Sequence, residues 1–290
     1  ILIGLVGSEM CIRDRYYNKQ NSERSIPSMS TYCLTLQYDG TRYNGWQKQG
    51  NTSNTIQEKL ETLLGRLFDS PVEIAGSGRT DAGVHALGQT ASFRVPSGVC
   101  RYSPEELLIL INRYLPEDIR VLDCREMEER FHARLLAKSK IYEYRVDNGP
   151  WADVFSRRFA LHVPEPLDTA AMQEAAARLT GTHDFKSFCS NQRMKKSTVR
   201  TLYAIDIIRR DPFVILRYQG SGFLYHMVRI LTGPLLEVGL HQRSPLDMDA
   251  ILQGKNRALA GYTVPPQGLF LVSVSYDASD SLSDSSSFRA

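Results

Sequence analysis

The sequence predicts an α+β fold made of two similar halves. In the first half, periodic segments follow the order strand, helix, strand, strand, helix, strand. A related order of strands and helices begins again near residue 140. The βαββαβ order is typical of ferredoxin-like folds, in which two helices pack on one face of an antiparallel sheet. We therefore expect two duplicated ferredoxin-like halves with antiparallel sheets and a cleft between them.

The first half opens with a strand in which apolar and polar residues alternate. Tyr32, Leu34, Leu36 and Tyr38 fall on one face of this segment. A period of two residues indicates a strand with one buried face.

Start signals mark the two helices of this half. Thr55 and Glu58 have the spacing of a capping box ahead of an apolar stripe that ends near residue 69. The second helix opens at residues 103–106, where a serine cap is followed by proline and two glutamates. The remaining strands of this half are predicted at residues 72–75, 89–95 and 119–125.

The second half begins with an alternating strand at residues 141–146. A helix is predicted over residues 168–180, and Gly181 ends it. Pro234 is expected to bend or break a further helix over residues 223–238. The other predicted elements are strands at 199–209, 213–219 and 270–276 and a short helix from Ser244 to Leu252.

These elements divide the chain into four segments. Residues 1–28 lack periodicity and are expected to be an unstructured or artefactual extension, with Met29 as a more natural start. The N-terminal half is assigned to residues 29–137 and the C-terminal half to residues 138–277. Residues 278–290 are rich in serine and aspartate, so we expect a disordered tail.

Composition indicates an ordinary globular protein. Of the 290 residues, 42% are hydrophobic and 23% are charged, and the net charge is +3. This small excess permits a nucleic-acid partner without requiring one. The five cysteines are widely spaced, which disfavours a disulfide framework and fits a reducing cytoplasm. No apolar run reaches 18 residues, so no membrane partner is expected.

Several classes of site are disfavoured. Gly76 and Gly78 are not followed by a third glycine at dinucleotide spacing, and the chain has no phosphate-binding lysine motif. The six histidines show no metal-ligand spacing on a helix. No Gly-x-Ser-x-Gly sequence marks a serine nucleophile. We therefore expect no nucleotide cofactor, no metal ion and no serine hydrolase.

The clearest candidate for a site is the glycine-rich segment 76–93, which carries Arg79 and Asp81. Glycine allows backbone conformations and close approaches that other residues resist, so this loop is suited to holding a carboxylate in one position. A solvated aspartate in a hairpin loop is the simpler explanation. The residues alone leave both explanations open.

Two features of the second half have similar alternatives. Tyr142 and Tyr144 lie two apart in a strand and share a face, so one is a stacking platform for a base or both are core residues. Arg229 follows Met227 and Val228 in an apolar run. If it is buried it needs a carboxylate partner, and otherwise its head group extends to the surface.

Basic residues occur in two runs, which are either solvated faces or contacts for RNA phosphates. The side chains concerned are Arg134, Lys138 and Lys140 in the first run and Arg193, Lys195, Lys196 and Arg200 in the second.

Together, seven motifs in order resemble the tRNA pseudouridine synthase A family. They cover about residues 32–276. Ile230 and Ser221 depart from asparagines common in the family, which affects fine positioning rather than the reaction. The motifs are residues 38–40 with 45–47, 78–86 (GRTDAGVHA), 131–134 (FHAR), 140–144 (KIYEY), 183–188, 223–229 (FLYHMVR) and 267–272.

The resemblance implies a cofactor-free enzyme that isomerises uridine to pseudouridine on the 3′ side of the tRNA anticodon stem-loop. It implies that Asp81 is the catalytic carboxylate, that Tyr142 contacts the target base and that Arg79 helps to hold the extruded nucleotide. Arg229 would pair with Asp81 and favour its ionised form. Family members are typically homodimers, with one tRNA spanning both subunits.

Three alternatives remain at this stage. The chain is a pseudouridine synthase acting on another RNA site, a non-catalytic RNA-binding protein of the same fold, or an aspartate-based glycosidase. The last normally needs a pair of carboxylates, and Asp81 stands alone in its loop.

Overall fold

A computed structural model describes residues 28–277 of the chain. The expectations for residues 1–27 and 278–290 lie outside this range. Within it, no helix is long and apolar enough to cross a membrane. The cysteines in the described range, Cys33, Cys100, Cys124 and Cys189, are free thiols.

The order of elements confirms the α+β prediction. The first half contains β1 (Met29–Tyr38), α1 (Ile56–Leu67), β2 (Ile74–Gly76), β3 (His85–Pro96), α2 (Pro104–Tyr114) and β4 (Ile119–Met127). The second half contains β5 (Ser139–Asp147), β6 (Leu161–His162), α3 (Thr169–Leu179), β7 (Gly181–Asp184), β8 (Val199–Arg210), β9 (Phe213–Gly220), α4 (Met227–Gly239), α5 (Asp247–Gly254) and β10 (Leu269–Ser275).

The strands of both halves join in one continuous sheet. Its main path runs β4-β1-β3-β10-β5-β9-β8-β7, while β2 pairs with β3 and β6 pairs with β5. Neighbouring strands are mostly antiparallel, but β3 and β10 are parallel, with Phe270 beside His85 and Leu271 beside Ala86. Gly88 permits this junction, since a side chain there would collide with the Val272 carbonyl. Two ferredoxin-like strand orders therefore meet at β3 and β10.

The core forms between this sheet and the helices. Tyr32, Leu34, Leu36 and Tyr38 are all buried, which confirms the period-two prediction for the first strand. Helix α1 contacts α2, and α3 contacts α4, so each half has its own helix pair.

The two predicted capping boxes differ. At the start of α2, Ser103 and Glu106 make both reciprocal contacts, as expected. At the start of α1, the Thr55 side chain accepts from the Glu58 N–H, but the Glu58 carboxylate instead lies 3.0 Å from Lys48 Nζ. The box at α1 is therefore only half formed, because a lysine competes for the glutamate.

Helix α4 begins later than predicted, and Pro234 does not break it. His226 has a left-handed backbone with φ of 62°, which no α-helix can continue, so the helix starts at Met227. Pro234 removes one backbone hydrogen bond, but nearly every residue of α4 is buried, and packing offsets this loss. Strands β6 and β7 were not predicted, because two to four residues are too short to show periodicity.

Candidate active site

Asp81 lies in the loop between β2 and β3, and the sheet fixes where this loop runs. One edge of β3 is shared by two strands. Strand β2 pairs with Ala91–Phe93, and β10 pairs with His85 and Ala86. The loop that leaves β2 and enters β3 must therefore pass the point where the two halves meet. This places Asp81 at their boundary.

The backbone around Asp81 is held from the first half. The Tyr38 hydroxyl lies 2.8 Å from Thr80 Oγ1, and the Trp46 N–H donates to the Thr80 carbonyl at 3.0 Å. The Val84 N–H donates to the Asp81 carbonyl at 3.1 Å, which closes a turn. Gly45 has φ of +88°, and a side chain there would lie 2.6 Å from the Thr80 carbonyl oxygen. The loop is thus built on a position that only glycine fits without strain.

The structure brings Arg229 to Asp81. Arg229 Nη1 lies 3.4 Å from Asp81 Oδ2, and the two side chains are 14% and 19% exposed. Arg229 Nε donates to the Val264 carbonyl at 2.8 Å, and the Val264 N–H donates back to the Arg229 carbonyl at 3.3 Å. The guanidinium is therefore anchored inside the site and does not extend to the surface. Its charge stabilises an ionised carboxylate in a region that water reaches poorly.

His226 is a second neighbour of Asp81 that the sequence did not single out. Its Nε2 lies 3.5 Å from Asp81 Oδ2, and its Nδ1 lies 2.9 Å from Ser190 Oγ. Burial lowers the pKa of His226, while the Asp81 carboxylate opposes this shift. The imidazole is thus mainly neutral at pH 7. His226 lies within the motif at residues 223–229, three residues before Arg229, but neither the motif nor the spacing separates it from a structural histidine.

The two tyrosines of β5 have different surroundings. Tyr144 is fully buried and its hydroxyl donates to the Pro265 carbonyl at 2.8 Å, so it is a core residue. Tyr142 is 7% exposed and packs edge-on against Phe223, with ring centroids 4.9 Å apart. Burial raises the pKa of the Tyr142 hydroxyl, and the nearby Asp81 carboxylate adds to this increase. Tyr142 is therefore a buried, neutral side chain near Asp81.

Arg79 is placed differently from the other candidates. It is exposed, and its Nε donates to Gln47 Oε1 at 3.0 Å. Within residues 28–277, no ion pair or hydrogen bond joins it to Asp81, two positions along the loop. Arg79 thus stands at the rim of the site with its charge free to meet a ligand.

Except for Lys140 and Arg200, which are half-buried, the side chains of the two basic runs are exposed. Arg200 is partly buried and its Nη1 donates to the Ser197 and Val199 carbonyls. The exposed side chains of the two runs are Arg134, Lys138, Arg193, Lys195 and Lys196. In the described range, none of these five is bonded to Asp81, Tyr142 or Arg229.

Asp81 lines neither of two cavities found in the described part of the chain. One of about 870 Å³ lies between α1 and strands β2 and β3, and its lining residues include Gln47, the partner of Arg79. The other, of about 250 Å³, is lined by residues that include His85 and Asp39.

The arrangement holds one carboxylate beside a fixed cation, a mainly neutral imidazole and the ring of Tyr142. Such a carboxylate can attack an electrophilic carbon or remove a proton. The neighbouring ring can pack against a planar base. This geometry gathers Asp81, Arg229 and Tyr142, which come from both halves of the chain.

Comparison with known proteins gives consistent matches. The family model described as tRNA pseudouridine synthase matches residues 35–134 and 175–277. The chain is 40% identical over 248 residues to tRNA pseudouridine synthase A 2 of Bacillus anthracis, covering 86% of this chain and 100% of that protein. It is 42% identical over 248 residues to tRNA pseudouridine synthase A of Bacillus sp. (strain KSM-64), with the same coverage. The identity is also 42% over 248 residues, again with that coverage, to tRNA pseudouridine synthase A 1 of Clostridium tetani.

Proposed function

This chain belongs to the tRNA pseudouridine synthase family, and from that premise we propose that it isomerises uridine to pseudouridine in tRNA with Asp81 as the catalytic carboxylate. The observation that carries this role is the placement of Asp81 at the boundary of the two halves, 3.4 Å from Arg229 and 3.5 Å from His226. The enzyme is an isomerase.

The reaction constrains what the site must do. The bond between uracil N1 and ribose C1′ breaks, the base turns, and a bond forms between C5 and C1′. N1 gains a proton and the C5 proton leaves to solvent, so the product is an isomer. The target nucleotide must first leave the RNA stack, which costs a few kcal/mol.

Asp81 acts in its ionised form, either attacking the sugar or removing a ribose proton. Arg229 pairs with the carboxylate and orients it, since the guanidinium is itself fixed by Val264. Tyr142 packs against the detached uracil and limits its escape. Arg79 holds the extruded nucleotide from the rim of the site. Its exposure and its hydrogen bond to Gln47 at the rim support this role.

RNA binding uses the exposed basic residues. Lysine and arginine neutralise backbone phosphates and recognise RNA largely by shape. We assign this contact to the exposed side chains of the two basic runs, which are Arg134, Lys138, Arg193, Lys195 and Lys196.

The finer features are part of the same proposal. The targets are uridines on the 3′ side of the anticodon stem-loop, the enzyme is a cytoplasmic homodimer, and it needs no cofactor or metal ion. We also propose residues 29–137 and 138–277 as the two functional halves, which the repeated strand order supports.

Loss of the C5 proton provides the test. Wild-type protein is expected to release tritium from tRNA labelled at uridine C5, and Asp81→Asn is expected to release none, because an amide can neither attack nor accept the proton. Normal binding of tRNA by the variant is the control for folding. Tritium release that persists in Asp81→Asn would remove Asp81 from its role, and absence of release by the wild type would favour a non-catalytic RNA-binding protein.

The RNA site is tested separately. Pseudouridines mapped in tRNA from a strain lacking this gene should be missing from the anticodon stem-loop alone. Loss at a different RNA position would assign the enzyme to that site instead.

A further inference from the structure

Lys140 is a basic residue next to the site to which neither the proposed mechanism nor the family resemblance gives a role. It lies on β5, two residues before Tyr142, so the two side chains share a face of the sheet. Lys140 Nζ donates to the Ser77 carbonyl at 2.7 Å, at the start of the loop that carries Asp81. The ammonium of one half thus reaches the catalytic loop of the other.

The acceptor of this bond is held firmly. Ser77 is fully buried, its N–H donates to the Thr90 carbonyl at 2.7 Å, and its hydroxyl donates to Gln89 Oε1 at 2.7 Å. Gln89 Nε2 in turn donates to the Gly78 carbonyl at 2.9 Å. Lys140 therefore sits against a rigid support and is fixed in place.

The ammonium has no anionic partner in the described part of the chain. A lysine has three donors, and the Ser77 carbonyl accepts one of them. The charged group that acts on it is a second cation, the Arg134 guanidinium. Burial, together with Arg134, lowers the pKa of Lys140 to about 8. A half-buried cation without an anion is costly, and proteins keep such groups chiefly at functional sites.

Gly78 shows where the ammonium lies. A side-chain carbon added at Gly78 would be 2.8 Å from Lys140 Nζ and 3.9 Å from the Tyr142 hydroxyl. The charge and the proposed base platform therefore meet at the same residue, next to Arg79. An anion bound here would lie within one nucleotide of a base packed on Tyr142.

We propose that Lys140, together with Arg134, binds the phosphodiester that flanks the flipped-out uridine. This inference rests on the proposed function, since it takes the ligand to be tRNA. A phosphate is favoured over a uracil carbonyl because an ammonium without an anion among the described residues is best matched by a full negative charge, which a neutral base does not carry. If Lys140 only held the Ser77 carbonyl, its role would be structural. The experiments below distinguish this role from phosphate binding.

The test measures tRNA affinity as a function of salt for Lys140→Met. Each phosphate contact contributes a slope of about 0.7 to 0.9 in log K against log salt, so the variant should lose about one unit of slope. Arg66→Met is the matched control. Helix α1 starts beside the site at Ile56, whose N–H donates to the Gly45 carbonyl. Arg66 is exposed near the other end of this helix, about 15 Å from that start. The control should keep the wild-type slope.

A second measurement identifies the phosphate. In a synthetic stem-loop RNA, the phosphate on either side of the target uridine is replaced by an uncharged methylphosphonate. One of the two replacements should weaken binding to wild type and have little further effect on Lys140→Met, because the partner charge is already gone. Additive losses at both phosphates would overturn the proposal.

Stability distinguishes binding from structural support. Because the free enzyme carries the unpaired charge at a cost, Lys140→Met should melt at or above the wild-type temperature at pH 7. A lower melting temperature with an unchanged salt slope would make Lys140 a structural residue and overturn the proposal. If wild type releases tritium while this proposal fails, the proposed function stands; absence of release by the wild type would instead reject the function.

Discussion

Arg229 and Asp81 are 148 positions apart in the chain, yet their side chains approach to 3.4 Å. One belongs to the first turn of α4 and the other to the loop before β3. Their contact depends on the parallel pairing of β3 with β10, which joins the two halves. The site consequently exists only where both halves are folded and joined.

Replacing Arg229 by methionine is expected to lower kcat/KM for tRNA by about 100-fold or more, because the carboxylate loses its fixed cation. Arg229→Lys should lose less, since it keeps the charge without the bond to Val264. Steady-state tritium release measures both. Arg178→Met is the control, because Arg178 forms a similar pair with Asp249 at 2.7 Å between α3 and α5. Equal losses in Arg178→Met and Arg229→Met would show that stability, not the site, is responsible.

Tyr142→Phe should remain active, because the hydroxyl is neutral and the ring is what packs against the base. Tyr142→Ala should bind tRNA with nearly unchanged Kd, since phosphate contacts dominate affinity, but turnover should fall about 10- to 100-fold. Filter binding and single-turnover rates distinguish these effects. Tyr144→Phe, which alters a core hydroxyl, should change only stability. A collapse of tRNA binding in Tyr142→Ala would make Tyr142 a core residue too.

The pH dependence of stability should report His226. Burial lowers its pKa below the ordinary value of 6.5, so the unfolded chain takes up this proton before the folded protein does. The stability that the neutral His226 contributes is therefore present above pH 6.5 and is lost as the pH falls below this value. In urea unfolding, the free energy of unfolding should fall less between pH 7 and pH 5 for His226→Asn than for wild type. The same loss in both proteins would mean that His226 does not contribute, since His85, whose pKa burial also lowers, is present in each.

Gly45 and Gly98 form a matched pair for testing the loop. Both have positive φ, +88° and +83°, but only a side chain at Gly45 would meet backbone, at 2.6 Å from the Thr80 oxygen. Gly98→Ala should therefore cost only about 1 to 2 kcal/mol of unfolding free energy and leave activity intact. Gly45→Ala should cost more and also lower kcat/KM, because Thr80 precedes Asp81. Equal effects on activity would show that this contact does not position Asp81.

The sequence by itself determined the elements and most of their order. Period-two alternation located β1, and Ser103 with Glu106 located the start of α2, because both signals are local. The family motifs also pointed to Asp81, Tyr142 and Arg229. Local pattern could not find β6 and β7, or the late start of α4 that the backbone of His226 imposes.

Only the tertiary structure decided which side chains meet. The joining of two sheets through β3 and β10 places residues of both halves around one loop. It brings His226 to Asp81, places Tyr144 in the core and leaves Lys140 half-buried beside Ser77 without an anion among the described residues. These are long-range contacts set by strand register and packing, so they cannot be predicted from the spacing of residues along the chain.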